Sequence, residues 1–382
     1  ALKYCKAHKI KVLSPDVNES ENKFTVNKAG NIRFGLGGIR GFGSNVVNAL
    51  IKEREDNGQF ADVFDFVERM SGTVNKKALE ALAYANAFES FGIQRSQFFE
   101  PGKSGDLFID ELSHYADLYR KDKENSEVSL FGDIEELKPQ RPELPEVPRE
   151  EDTMEFLQKE KELVGMFLSA HPLDPHAFTM STFCTHTLPQ IDPLINSCDK
   201  PGMNIPLSFG GMVSNVDTAT TRNGSPMMKV TIEDFEGSYV IALFGKDVEA
   251  FLPFLYNQAK VYVEAEIKEK YRLRPEEIKE GKMAPYSLRL KKVTQLGNVN
   301  EDHLGAFCIQ LRTEMLNQKF RKALADLLKS CHGKTPLTVN LYDQETGYSI
   351  DFLSKKYPID VTVEFIAGLN ELGIPYRIEK KG

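Results

Sequence analysis

The residues best equipped for chemistry form no catalytic set. Between Asn31 and Glu55 the chain interleaves Gly35, Gly37, Gly38, Gly41 and Gly43 with Arg33 and Arg40, then presents Ser44 and Asn45. Glycines let a backbone come close to a phosphate, and N–H groups at the start of a following helix attract an anion. A dinucleotide fingerprint counted from Gly35 would need glycine where Arg40 stands, and a P-loop would need a Gly-Lys-Ser/Thr that the run lacks. Ile39-x-Gly41-Phe42-Gly43 instead reads as the turn of a helix-hairpin-helix. Arg40, Gly41, Gly43, Ser44 and Asn45 would then contact backbone phosphates, which positions a duplex without reading its bases. An ordinary Gly-rich turn between packed helices fits the spacing equally well.

A second basic and aromatic group lies further on. Residues 205–296 alternate as five strands, at about 207–219, 226–233, 238–244, 259–270 and 285–295, with a helix at about 246–256. That order predicts a five-stranded OB β-barrel, which takes single-stranded nucleic acid on basic loops and aromatic platforms. Arg222, Lys229 and Phe244 fit its strand 2–3 face, and Tyr271, Arg272, Arg274, Lys282 and Tyr286 fit the long 4–5 loop. A barrel that only spaces its neighbours is the alternative. His171, His176, Cys184, His186 and Cys198 match no standard zinc spacing, so no metal is assigned.

Several elements must position these groups. Val46, Val47, Leu50 and Ile51 share one face of the helix after Gly43, and Phe60, Val63, Phe64 and Val67 share a face of the next. Asn75 caps a third helix carrying Leu79 and Leu82, which ends near Ala85–Phe88. At the far end, strand 305–312, helix 314–331, strands 335–341 and 347–353, helix 360–373 and strand 374–379 predict a β-α-β-β-α-β, ferredoxin-like split unit.

The 382 residues exceed the roughly 100–200 of one domain, and 41% apolar content excludes wholesale disorder. No apolar run nears the ~18 residues of a membrane helix; Val240–Phe244 is strand-length. Five widely spaced cysteines point to reduced thiols in the cytosol. The net charge of −8 argues mildly against a nucleic-acid partner until it is divided, because residues 101–204 alone hold −11. Within them Pro139, Pro142, Pro145 and Pro148 favour extended chain, a linker with the apolar island Val128, Leu130 and Phe131.

Two blocks carry a family likeness. The first is Ile32-x-Phe34-Gly35-Leu36-x-x-Ile39-x-Gly41-x-Gly43 with Phe60, Asp65-Phe66, Arg69, Leu79-Glu80-x-Leu82 and Ala87-Phe88. The second is Glu160-Lys161-Glu162-Leu163-Val164-Gly165-Met166-Phe167-Leu168-Ser169-Ala170-His171-Pro172-Leu173-Asp174. Together they resemble the C-terminal region of the alpha subunit of bacterial DNA polymerase III, a C-family replicative polymerase. Asn86 and Ala170 stand where the family usually has glycine, and Asn tolerates the left-handed turn.

The resemblance implies a multidomain α+β chain. It would comprise the end of a fingers domain (1–33), a helix-hairpin-helix duplex-binding domain (34–118), a linker (119–152), a helical connector (153–204), an OB domain (205–297) and a C-terminal domain (298–382). It implies that the last of these docks the clamp-loader tau subunit. Glu127-Val128-Ser129-Leu130-Phe131 is similar to the Gln-Leu-Ser/Asp-Leu-Phe pattern that docks into the sliding clamp, the beta subunit, with Glu127 replacing the usual Gln. A patch packed on its own domain is the other reading of that island. The catalytic aspartates, their palm and its Mg2+ would lie upstream of residue 1, so this part needs no cofactor and should not polymerise DNA alone. The setting implied is the bacterial cytoplasm, at the nucleoid and without a membrane. A stand-alone DNA-binding adaptor and a translesion paralogue of the same polymerase are the competing readings.

Overall fold

The computed structural model describes residues 5, 8, 10–128, 139–146, 154–271 and 284–381. The chain forms two compact units, Ala1–Pro172 and Leu173–Gly382.

The first unit opens with a small sheet of β1 (Val12–Leu13), β2 (Thr25–Val26) and β3 (Ile32–Arg33), in which β3 lies between the other two. A 3-10 turn at Leu36–Gly38 leads into α1 (Ser44–Asn57), α2 (Val63–Arg69) and α3 (Lys76–Tyr84). Asp62 and Asn75 cap α2 and α3 by accepting from the N–H of Asp65 and Ala78, which satisfies helix-start donors. α4 (Phe108–Val128) and α5 (Met154–Val164) complete the unit.

One apolar core takes Leu36, Ile39, Phe42, Val47, Leu50, Phe66, Leu82, Phe88, Phe108 and Val164 together. The expected face of α1 holds, with Val47 and Leu50 buried and Val46 and Ile51 packed at their sides. In the second helix Phe66 is buried instead of Phe64, and Phe60 sits in the turn before the Asp62 cap. Edge-on contacts of the Phe66 ring with Phe60 (5.0 Å) and Phe88 (5.3 Å) explain that choice.

Helix α4 runs on to Val128, ten residues beyond 118, so the start expected for the linker is helical. Proline begins only at Pro139, and Tyr119–Glu124 are acceptable helix residues supported by the Asp117–Arg120 pair.

The glutamate of the second signature block is a packing element. Glu160 is fully buried, and Gly165, at φ +85°, turns the chain back after α5. Its carboxylate thereby accepts from the N–H of Leu168 (3.1 Å) and Ser169 (3.2 Å) and from Ser169 Oγ (3.0 Å). Arg95, 2% exposed, lies 3.6 Å away and donates to Ser169 Oγ at 3.0 Å. Burial pushes the Glu160 carboxyl up, while the Leu168 N–H and the Arg95 charge draw it back.

The second unit begins with α6 (Ala177–Phe183) and α7 (Ile191–Asn196). Five antiparallel strands follow: β4 (Ile205–Thr220), β5 (Pro226–Glu233), β6 (Ser238–Phe244), β7 (Lys260–Glu269) and β8 (Tyr286–Gln295), with α8 (Lys246–Phe251) after β6. The order is β6-β5-β4-β7-β8. Central β4 bends at a bulge between Val213 and Asn215, pairing with β7 along its first half and β5 along its second. At Gly211 a Cβ would lie 2.5 Å from Ile232, so the bend requires glycine there.

The five strands of the expected OB barrel form a sheet that does not close into a barrel. β6 and β8 share no ladder among the described residues, and Val240 and Phe244 on β6 stay exposed. Closure needs strand tilt and stagger that bring the two edges together, which this open sheet does not reach.

α9 (Leu296–His303) leads to β9 (Leu304–Arg312), α10 (Gln318–Ser330), β10 (His332–Tyr342), β11 (Ser349–Ile359), α11 (Val363–Glu371) and β12 (Tyr376–Lys380). The expected β-α-β-β-α-β order holds, but the strand order β11-β10-β9-β12 corrects the split ferredoxin-like assignment. A split unit inserts a strand between the parallel pair, whereas here Phe307 of β9 lies directly beside Leu337 of β10. The α10 crossover returns β10 to the neighbouring position, and the β10–β11 hairpin then fills the edge.

Removing the Glu160 carboxylate takes an ion-pair partner from the buried Arg95 and the acceptor from the N–H groups of Leu168 and Ser169. Glu160→Ala should destabilise the chain by about 3–5 kcal/mol in denaturant unfolding, and Glu160→Gln, which keeps an acceptor oxygen, should cost less.

Candidate nucleic-acid interface

The Arg40–Asn45 hairpin alternates buried anchors with exposed backbone. Ile39 and Phe42 are buried, while Arg40, Gly41, Gly43, Ser44 and Asn45 are exposed. Gly41 takes φ +82°, which disfavours a side chain there. Gly43 has ordinary extended dihedrals as the N-cap of α1, and a Cβ there would meet no atom within 4 Å. The chain itself therefore leaves room for a side chain at Gly43, and a bare cap leaves that room to a ligand.

No side chain caps α1, and its first turn carries no acidic residue. Its N–H-bearing end is thus favourable to an anion, with the Arg40 guanidinium beside it in sequence. The N–H of Arg40 donates to Leu163 O at 2.9 Å, which fastens the hairpin to the end of α5. The ordinary Gly-rich turn and the phosphate hairpin share this packing, and both leave the five named residues exposed. At the second hairpin Asn86 adopts φ +60°, and the N–H of Ala87 donates to Leu82 O at 2.9 Å, so the turn survives without glycine.

In the second unit, Lys229 is exposed on β5 opposite Ala242, and Phe244, 51% exposed, lies opposite Met227. Lys229 and Phe244 therefore share one face of the sheet, and Arg222 stands exposed in the β4–β5 turn. Asp217 lies opposite Lys229 on β4 and accepts from Asn215 Nδ2 at 2.9 Å. Tyr271 is exposed just beyond β7, whereas Arg272, Arg274 and Lys282 lie outside the described residues. Tyr286 is engaged internally: its hydroxyl donates to Lys200 O (2.6 Å) and accepts from Met203 N–H (3.1 Å).

Sequence reasoning missed a basic stripe on β7 and β8. Lys268 and Lys291 both pair with Glu266, and Arg289 donates to Lys270 O at 2.9 Å. The alternation Arg289-x-Lys291 was the available signal. Hydrogen bonds from Lys268 and Lys291 hold the Glu266 carboxyl down at about 2. For the clamp pattern, Glu127 and Val128 are the last helical residues of α4, and Ser129, Leu130 and Phe131 lie outside the described residues. His171, His176, Cys184, His186 and Cys198 are not gathered: among the described residues no group of three or more His, Cys, Asp or Glu could hold a metal. No helix among them is long and apolar enough to cross a membrane.

Because the folded Glu266 carboxyl lies below its ordinary value of 4.5, its stabilising contribution is present above that value and is lost as pH falls towards about 2. Glu266→Gln should therefore raise the midpoint pH of acid unfolding and flatten the pH dependence of stability below about pH 4.5, measured by circular dichroism.

Two family models match the chain: a helix-hairpin-helix motif over residues 9–98 and the DNA polymerase III alpha subunit, C-terminal domain, over residues 307–379. The DNA polymerase III subunit alpha of Borreliella burgdorferi is 34% identical over 256 residues, 65% of this chain and 21% of that protein. The same subunit of Saccharopolyspora erythraea is 31% identical, over 70% of this chain and 22% of that protein. That of Pseudomonas aeruginosa is 24% identical over 96% of this chain and 30% of its own length. The chain thus spans less than a third of the length of these relatives. A solved replication protein A heterotrimer bound to ssDNA aligns with 41% of this chain and 40% of its own at 11% identity and a TM-score of 0.18, too low to bear on fold or ligand. With a relative 31% identical over 70% of the chain and the model of the family's C-terminal domain agreeing, the chain belongs to the DNA polymerase III alpha subunit family and corresponds to a C-terminal region of it.

Proposed function

We propose that this chain serves DNA replication as the DNA-holding and partner-binding part of a polymerase alpha subunit. The Arg40–Asn45 hairpin grips duplex phosphates without reading sequence. The observation that carries this reading is the exposed glycine turn running into an uncapped helix start with no acidic residue in its first turn.

The five-stranded sheet acts as an OB-type sheet in open form. It receives single-stranded template across Lys229 and Phe244, with Arg222 and Tyr271 at its margins and Arg272, Arg274 and Lys282 in the following segment. The shared face of Lys229 and Phe244 supports it. The Glu127–Phe131 segment docks the sliding clamp, with Leu130 and Phe131 as adjacent apolar anchors. The C-terminal four-stranded unit contacts the clamp-loader tau subunit.

Arg40→Glu combined with Gly43→Val should weaken duplex binding about equally for unrelated sequences and reduce the salt slope by about 1, read by fluorescence anisotropy. Duplex affinity equal to that of the unaltered chain would overturn the hairpin reading. Leu130→Ala/Phe131→Ala should abolish capture by the sliding clamp in a pull-down, and undiminished capture would remove the clamp assignment.

A further inference from the structure

The proline-rich segment 139–146 lies against the first unit. Arg141 donates through Nε to Glu68 Oε1 at 2.9 Å, its Nη2 stands 2.8 Å from the same oxygen, and its Nη1 is 3.5 Å from Asp62. The guanidinium also lies over the Phe64 ring, 5.2 Å from its centroid. Glu68 is made ready for this contact by Tyr115, whose hydroxyl donates to the same Oε1 at 2.5 Å. Burial and that carboxylate push the Tyr115 hydroxyl up to about 12, so it stays protonated as a donor.

A second anchor is independent of charge. Gln97, 3% exposed, directs its amide Nε2 to Pro145 O at 2.7 Å. Here the carbonyl partner of a buried amide donor comes from a stretch with no secondary structure of its own. Lys103 pairs with Glu143 between the two anchors. Proline at 139, 142 and 145 restricts the backbone before docking, which lowers the entropy lost on binding.

We infer that residues 139–146 are a strap bound in a dedicated site on the first unit, with Arg141 in the Glu68–Tyr115–Phe64 seat and Pro145 on Gln97. The consequence drawn next rests on the clamp reading above. Since α4 ends at Val128 on the same unit, the strap closes the clamp-docking segment into a loop held at both ends by the hairpin unit. Without the strap the next anchor is α5 at Met154, which doubles the loop from about 13 to about 26 residues and disfavours ordering of the segment about threefold.

The test uses the whole chain with a donor dye on Gln140→Cys, beside the Arg141 anchor, and an acceptor on Lys77→Cys. The strap predicts one narrow transfer distribution, broadened and shifted by Arg141→Glu and restored when Glu68→Arg is added. An unchanged distribution in Arg141→Glu overturns the strap. Arg141→Glu combined with Gln97→Ala, which removes both anchors, should bind the clamp about threefold more weakly; release of the strap with unaltered clamp affinity overturns the loop closure. Failure of the unaltered chain to bind clamp at all would overturn the clamp reading and the consequence drawn from it, while the transfer measurement still decides the strap.

Discussion

The first unit depends on one buried ion pair. Glu160 and Arg95 meet where neither is reached by water, and such a pair is tolerable only because further donors complete it. Those donors are the N–H groups of Leu168 and Ser169, delivered by the left-handed turn at Gly165. The same arrangement fixes the end of α5, whose Leu163 carbonyl receives the Arg40 N–H of the hairpin. An exposed glycine loop is thus positioned by a charge pair far from it in sequence. The second signature block, read as a sequence, carried no mechanism; its spacing is what a carboxylate needs to be met by the backbone returning from its own helix.

The second unit takes a different course. Its central β4 is long, bent and shared between two ladders, so the sheet curves without sealing. The free edges leave Val240 and Phe244 in solvent beside Lys229, while Lys268 on β7 and Lys291 on the edge strand β8 hold Glu266 ionised. In the four-stranded unit, Phe307 packs edge-on to Phe365 at 5.4 Å and lies under Tyr376 at 5.1 Å, so the parallel β9–β10 pair and its α11 cover form one core. Charge is distributed unevenly: of the net −11 of residues 101–204, −9 lies between Phe108 and Val164, away from the glycine hairpin in sequence.

Much of this architecture was legible in the residues. The period of Val47 and Leu50 marked a buried helix face, and Asn75 marked a cap. The five strand positions of residues 205–296 were readable because one buried face imposes alternation of period two. The left-handed turn at Asn86 was legible because asparagine is among the few residues that tolerate it. Tyr286 was not legible: an aromatic beside a basic loop looks alike whether its hydroxyl meets solvent or the carbonyl of Lys200. Nor was Arg141, since an arginine among prolines gives no sign that Glu68 and Tyr115 wait 73 and 26 positions earlier.

The sequence by itself determined the identities and periods: which segments bury an apolar face, where caps and glycine turns fall, and that a polymerase alpha subunit family signature is present. Only the tertiary structure decided the pairings. It chose an open sheet over a barrel, placed β10 directly beside β9, ran α4 on to Val128 and seated the proline strap on Gln97 and Glu68. The reason is physical. Local pattern reports the free energy of burying a face or ending a helix, whereas strand order, sheet closure and buried charge partners are set by contacts between residues far apart in the chain, to which local periodicity is blind.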